Sequence, residues 1–123
     1  MKYIRTKDGI FEIIPEIMLT SLPPQYPTKQ GIGVRQDSVI KQADTIEELC
    51  DGFWWENEMH NEPIFIPNYG LVLDRVKAWK ESDKELNDNS FDRITIYGSV
   101  YIHGYGWKHI CKVNKNKGEL ELL

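Results

Sequence analysis

Apolar and polar positions alternate at both ends of this chain and repeat at helical spacing in its middle. Tyr3 to Lys7 and Ile10 to Ile14 flank Asp8-Gly9, a dipeptide that supplies the positive φ angles of a tight type I′ turn, so the pattern predicts an N-terminal β-hairpin. From Arg93 onward the character is again β. Ile94 to Tyr97, Ser99 to His103, Trp107 to Val113 and Glu119 to Leu122 read as strands, with Gly104 and Gly106 breaking the second from the third and Asn114 to Gly118 the third from the fourth. Two helices are predicted between these ends. Asp44 can cap a helix starting at Thr45 while Glu47 reaches back, and Ile46, Leu49, Cys50 and Phe53 recur at helical spacing, with Gly52 as a stop. The second helix is predicted from Leu71 to Glu85, where Val72, Val76 and Trp79 repeat on one side, and Asn87-Asp88-Asn89-Ser90 ends it.

Prolines punctuate the remainder. Pro15, Pro23, Pro24 and Pro27 make Leu19 to Gly33 a long loop, followed by a strand-like run at Ser38 to Lys41. Ile64-Phe65-Ile66 is a short apolar run between Pro63 and Pro67. Phe53-Trp54-Trp55 cannot all point inward from one surface element, which leaves aromatic surface exposed. The elements predict an α+β fold, a mainly antiparallel β-sheet built from the N-terminal hairpin and C-terminal meander and packed against one or two α-helices. A length of 123 residues fits one domain over 1–123, with 52–91 as a candidate inserted segment.

Composition narrows the function classes. Hydrophobic residues at 41% and charged residues at 28% suit a folded chain and argue against wholesale disorder. A net charge of -4 argues against a general nucleic-acid grip, which needs a clustered basic surface. Lys2, Arg5 and Lys7 interrupt any signal-peptide core, and no run reaches the roughly 20 apolar residues that cross a bilayer. The expectation is a cytoplasmic protein with no membrane partner. In that reducing compartment Cys50 and Cys111 are expected as small buried thiols, able to pair only if the fold brings them together.

Four constellations carry candidate chemistry. Glu56, Glu58, His60 and Glu62 would share one face of a strand and offer ligands to a metal, but zinc favours a defined Cys/His set, and a solvated polar loop is the simpler reading. His103 and His109 could face one another across a hairpin, with Cys111 on the same face as His109, yet no nucleophile with an orienting partner accompanies them. Gly104-Tyr105-Gly106 lacks the lysine-bearing helix start of a phosphate loop and reads as a turn. Tyr97, Tyr101, Tyr105 and Trp107, near Lys108 and Lys112, match a base-stacking platform but equally a small β core. No catalytic residue, metal or cofactor is therefore assigned. Trp54, Trp55, Glu56, Glu58 and Tyr69 are instead the candidate partner-binding residues, because Trp and Tyr are enriched where proteins meet and the acidic residues around them suit a basic partner.

Three segments, Met1 to Ile10, Val39 to Asp51 and Lys117 to Leu123, resemble those of small uncharacterised proteins encoded by phages and prophages of Firmicutes-type bacteria. The resemblance implies a gene context and no activity. The expected function is that of a phage-encoded accessory protein, non-catalytic and acting on a host or phage protein. The alternatives are an acidic inhibitor of a host defence nuclease, a small metal-dependent hydrolase centred on Glu56 to Glu62, and a structural virion component.

Overall fold

The computed structural model describes residues 2–14, 25–59, 62–86 and 90–123. The chain divides into two compact units, Met1–Leu49 with Ile102–Gly106, and Cys50–Tyr101 with Trp107–Leu123. The expected α+β class holds, with antiparallel sheets and, among the described residues, one α-helix.

In the first unit β1 (Tyr3–Thr6) and β2 (Gly9–Glu12) form the N-terminal hairpin. Its connection is Lys7-Asp8 rather than Asp8-Gly9, because Thr6 pairs directly with Gly9. Gly9 still supplies a positive φ, of 149°, but as the first residue of β2. The stretch read as a loop holds a second hairpin, β3 (Gln25–Pro27) with β4 (Gly33–Arg35). There the Thr28 hydroxyl donates to the Ile32 carbonyl at 2.7 Å. Residues 15–24, with Pro15, Pro23 and Pro24, lie outside the described residues. The run expected as a strand at Ser38 to Lys41 is displaced, since Gln36–Ser38 is a 3-10 turn and the strand is β5 (Lys41–Ala43), which pairs with β1. Ile4, Ile13 and Val34 form the core of this unit, with Phe11, Tyr26 and Val39 packed on it.

The capped helix expected from Asp44 does not form. Residues 44–49 make a bend and one turn, closed by the Leu49 N–H on the Ile46 carbonyl at 3.0 Å, and this turn is enough to bury Ile46 and Leu49. The Asp51 N–H already bonds the Ser99 carbonyl at 2.9 Å, so only a few residues remain, too few to recover the cost of nucleating a helix. The local signal is real, but sheet pairing takes the chain first.

The second unit is a five-stranded sheet in the order β10-β9-β8-β6-β7, made of β6 (Gly52–Asn57), β7 (Ile64–Ile66), β8 (Ile94–Ile102), β9 (Gly106–Asn114) and β10 (Glu119–Leu122). The two strands expected at Ile94 to Tyr97 and Ser99 to His103 are one, because Gly98 stays in the ladder opposite Phe53. Helix α1 (Tyr69–Leu86) covers the predicted second helix and starts two residues earlier. Asn68 sets that start by accepting the Leu71 N–H on Oδ1 at 2.9 Å. The expected stop at Asn87-Asp88-Asn89 lies outside the described residues.

Val72 and Val76 of α1 pack with Phe53, Trp55 and Ile66 over Ile94, Ile96 and Val113. Phe53, Trp55, Ile66, Val72, Val76 and Phe91, all within 52–91, are therefore core residues of this unit. Lys115, in the turn between β9 and β10, closes one end by donating to the Phe91 and Ile94 carbonyls, each at 2.6 Å. Burial pushes its ammonium below the usual lysine range, with the Asp92 carboxylate opposing the shift.

Candidate functional site

Successive residues of a strand point to opposite faces, so Phe53 and Trp55 of β6 go under α1 while Trp54 and Glu56 go to the other face. That other face carries the site. Trp54 sits beside Phe65 of β7 and Trp107 of β9, with ring centroids 5.2 and 5.7 Å away. Phe65 and Trp107 touch at 5.3 Å, and Tyr101 of β8 meets Trp107 edge-on at 5.6 Å. Such tilted and edge-to-face pairs match positive ring edges to negative ring faces.

The cluster is held together yet remains open. Phe65 is 42% exposed, Tyr101 52% and Trp107 36%, and the buried Trp54 indole N–H meets no acceptor among the described residues. Gly52 is what lets the rings lie flat on the sheet. A Cβ there would collide with the Phe65 ring and come within 3.3 Å of Trp107. Acidic groups border the patch, with Glu56 on the same face and Asp51 accepting the Tyr101 N–H at 2.7 Å.

Next to the rings is a polar group of three. The imidazole of His109 stacks on Tyr97 with centroids 4.4 Å apart and planes 9° apart. Its Nδ1 is 2.7 Å from the Ser99 hydroxyl, and its Nε2 is 3.9 Å from Glu56 Oε1. The Ser99 hydroxyl and Nδ1 share one hydrogen bond, whose direction follows the tautomer of the ring. Serine, histidine and carboxylate are the groups of a hydrolase triad, but Ser99 is 0% exposed, and a nucleophile must reach its substrate. The arrangement orients the ring instead.

The predicted site residues separate on this frame. Trp54 and Glu56 belong to the open face. Trp55 is 1% exposed and is a core side chain, with the Arg75 guanidinium 5.0 Å above its ring. Tyr69 is half-buried, stacks at a tilt on Phe53 and donates its hydroxyl to the Gly118 carbonyl at 2.6 Å. Glu58 lies in the turn after β6 and is exposed. Of the metal constellation, His60 lies outside the described residues. Glu56 and Glu62 do not share a face, because β6 ends at Asn57 and Glu62 lines a cleft with Trp55, Arg75 and Trp79 on the α1 side. No group of three or more His, Cys, Asp or Glu among the described residues could hold a metal.

His103 falls in the turn between β8 and β9, off the strand. Cys111 does not share a face with His109 either. Ile110 and Cys111 are buried in succession, and the Cys111 sulfur lies on the Gly98 side while His109 bonds Ser99, so β9 changes face between them, as at a β-bulge. Sequence reasoning missed Phe65 and Trp107 as neighbours of Trp54. The signal is the placement of Phe65 between two prolines in an otherwise aliphatic run, though only the strand order reveals the contact. No family model, curated protein or solved structure matches the chain.

Proposed function

We propose that this chain is a phage-encoded, non-catalytic accessory protein that acts in a bacterial host by binding another protein through the aromatic face of its five-stranded sheet. The observation that supports this reading is the mutual packing of Trp54, Phe65, Tyr101 and Trp107 on the face opposite α1, with three of the four rings well exposed. Contiguous exposed aromatics on a soluble chain mark interaction sites, since large rigid rings bury much area at little entropic cost. The partner that fits is a protein segment presenting arginine or lysine beside apolar side chains. Ring faces attract guanidinium and ammonium groups, and Asp51 and Glu56 border the same patch. The phage setting draws on the resemblance of the terminal segments and of Val39 to Asp51.

The test is capture of host and phage proteins by the tagged chain, in parallel with a Phe65→Ala/Trp107→Ala variant of matched folding. The expected result is a specific partner that is lost with the variant and weakened by salt. A partner held equally by both would place the binding surface elsewhere.

A further inference from the structure

The fold brings Cys50 and Cys111 together. Separated by 61 positions in sequence, their reduced sulfurs lie 3.9 Å apart inside the second unit. They meet over Gly98. A Cβ at that position would collide with the Cys111 sulfur and stand 3.0 Å from that of Cys50, so the missing side chain is what makes room for both thiols. The two differ in access, Cys111 being 0% exposed and Cys50 partly so.

A structural zinc site needs four donors, and among the described residues no third His, Cys, Asp or Glu joins the pair. Two thiols can do something simpler. Closing the gap to the roughly 2.05 Å of a disulfide requires each sulfur to move by about 1 Å. We propose that Cys50 and Cys111 form a reversible dithiol–disulfide site whose co-substrate is an external disulfide, either a small molecule or a protein.

Exposure sets the order of events. The Cys50 thiol loses its proton and attacks one sulfur of the external disulfide, whose S–S bond breaks as its other sulfur leaves as a thiolate and takes up a proton. Cys111 then loses its proton and attacks the Cys50 sulfur of the mixed disulfide, forming the internal bond and expelling the second thiol. In sum the protein gives up two protons and two electrons, and the external disulfide becomes two thiols. The new bond ties Cys50, two residues before β6, to the middle of β9, and so links the strands that carry Trp54 and Trp107.

The experiment is titration of the folded full chain with oxidised glutathione, read by intact mass, thiol count and peptide mapping. The expected product is a monomer lighter by two hydrogens, with the peptides of Cys50 and Cys111 joined, no accessible thiol remaining, and full reversal by dithiothreitol. A Cys111→Ser variant is expected to stop at one glutathione adduct on Cys50, and a Cys50→Ser variant to stay unmodified while folded. Wild-type protein that stops at glutathione adducts, links only between molecules, or stays reduced would overturn the proposal. These wild-type outcomes decide the question even if a variant fails to fold. The oxidised chain should also unfold at higher temperature than the reduced one, and an equal or lower midpoint would count against a bond that fits the native structure.

Discussion

The two faces of the five-stranded sheet are built from the same strands and often from adjacent residues, yet they do opposite things. On one, Phe53, Trp55, Ile66, Ile94 and Ile96 are sealed beneath Val72 and Val76 of α1. On the other, Trp54, Phe65, Tyr101 and Trp107 gather with no helix over them among the described residues. Apolar character alone therefore does not mark core. What differs is the cover, and a strand such as β6 serves both faces at once because its side chains alternate.

The contrast breaks or holds under substitution. The largest effect is expected for Trp55→Ala, which should cost about 3–5 kcal/mol in denaturant unfolding, against about 1 kcal/mol or less for Trp107→Ala on the open face. Equal losses would erase the distinction. Gly98→Val comes next, at about 1–3 kcal/mol, because its side chain must displace the two sulfurs on the covered face. A neutral result would show that the packing there is loose.

Lys115→Met should lower stability by about 1–2 kcal/mol, since the Phe91 and Ile94 carbonyls lose a charged donor at the end of the covered face. Hydrogen exchange localised to residues 90–94 would confirm the site of the loss. On the open face Ser99→Ala should cost about 1 kcal/mol and release the His109 ring, visible as a change in its NMR shifts. Unchanged shifts would mean that stacking on Tyr97 alone orients it.

The smallest effect lies in the other unit and separates local from global acid sensitivity. Glu12 is held below its ordinary 4.5, chiefly by the Lys29 ammonium that pairs with it and also by the Tyr3 hydroxyl. Its contribution should be complete above pH 4.5 and fade as pH falls through the lower folded value, because the unfolded chain takes up the proton first. Lys29→Met should flatten that part of the acid profile, and an unchanged slope would remove Glu12 as its source.

Much of this architecture is legible in the sequence where local and long-range preferences agree. The period of Val72, Val76 and Trp79 marks the buried side of α1, and Glu119 to Leu122 is a strand with the bounds its alternation implies. The segment after Asp44 is the counterexample. Its capping signals favour a helix, but a sheet bond from Asp51 to Ser99, far along the chain in the closing meander, overrides them, and no local pattern encodes that. The candidate site divides the same way. The sequence shows that Phe53, Trp54 and Trp55 cannot all point inward, but it reads Trp54 and Trp55 alike as partner-binding, because which of them is core depends on the unpredicted strand β6 and on β7 and β9 flanking the central strands.

The change of face within β9 has a consequence for how the chain avoids misfolding. A regular strand can slide past its neighbour by two residues and keep its apolar side inward, so alternation by itself leaves register errors cheap. In β9 the segment holding Trp107 and His109 points one way and the segment holding Cys111 and Val113 the other, so a shifted strand would misplace one half or the other against β8. The change of face acts as a key that fits a single notch, and the β8–β9 hairpin is proofread as it closes.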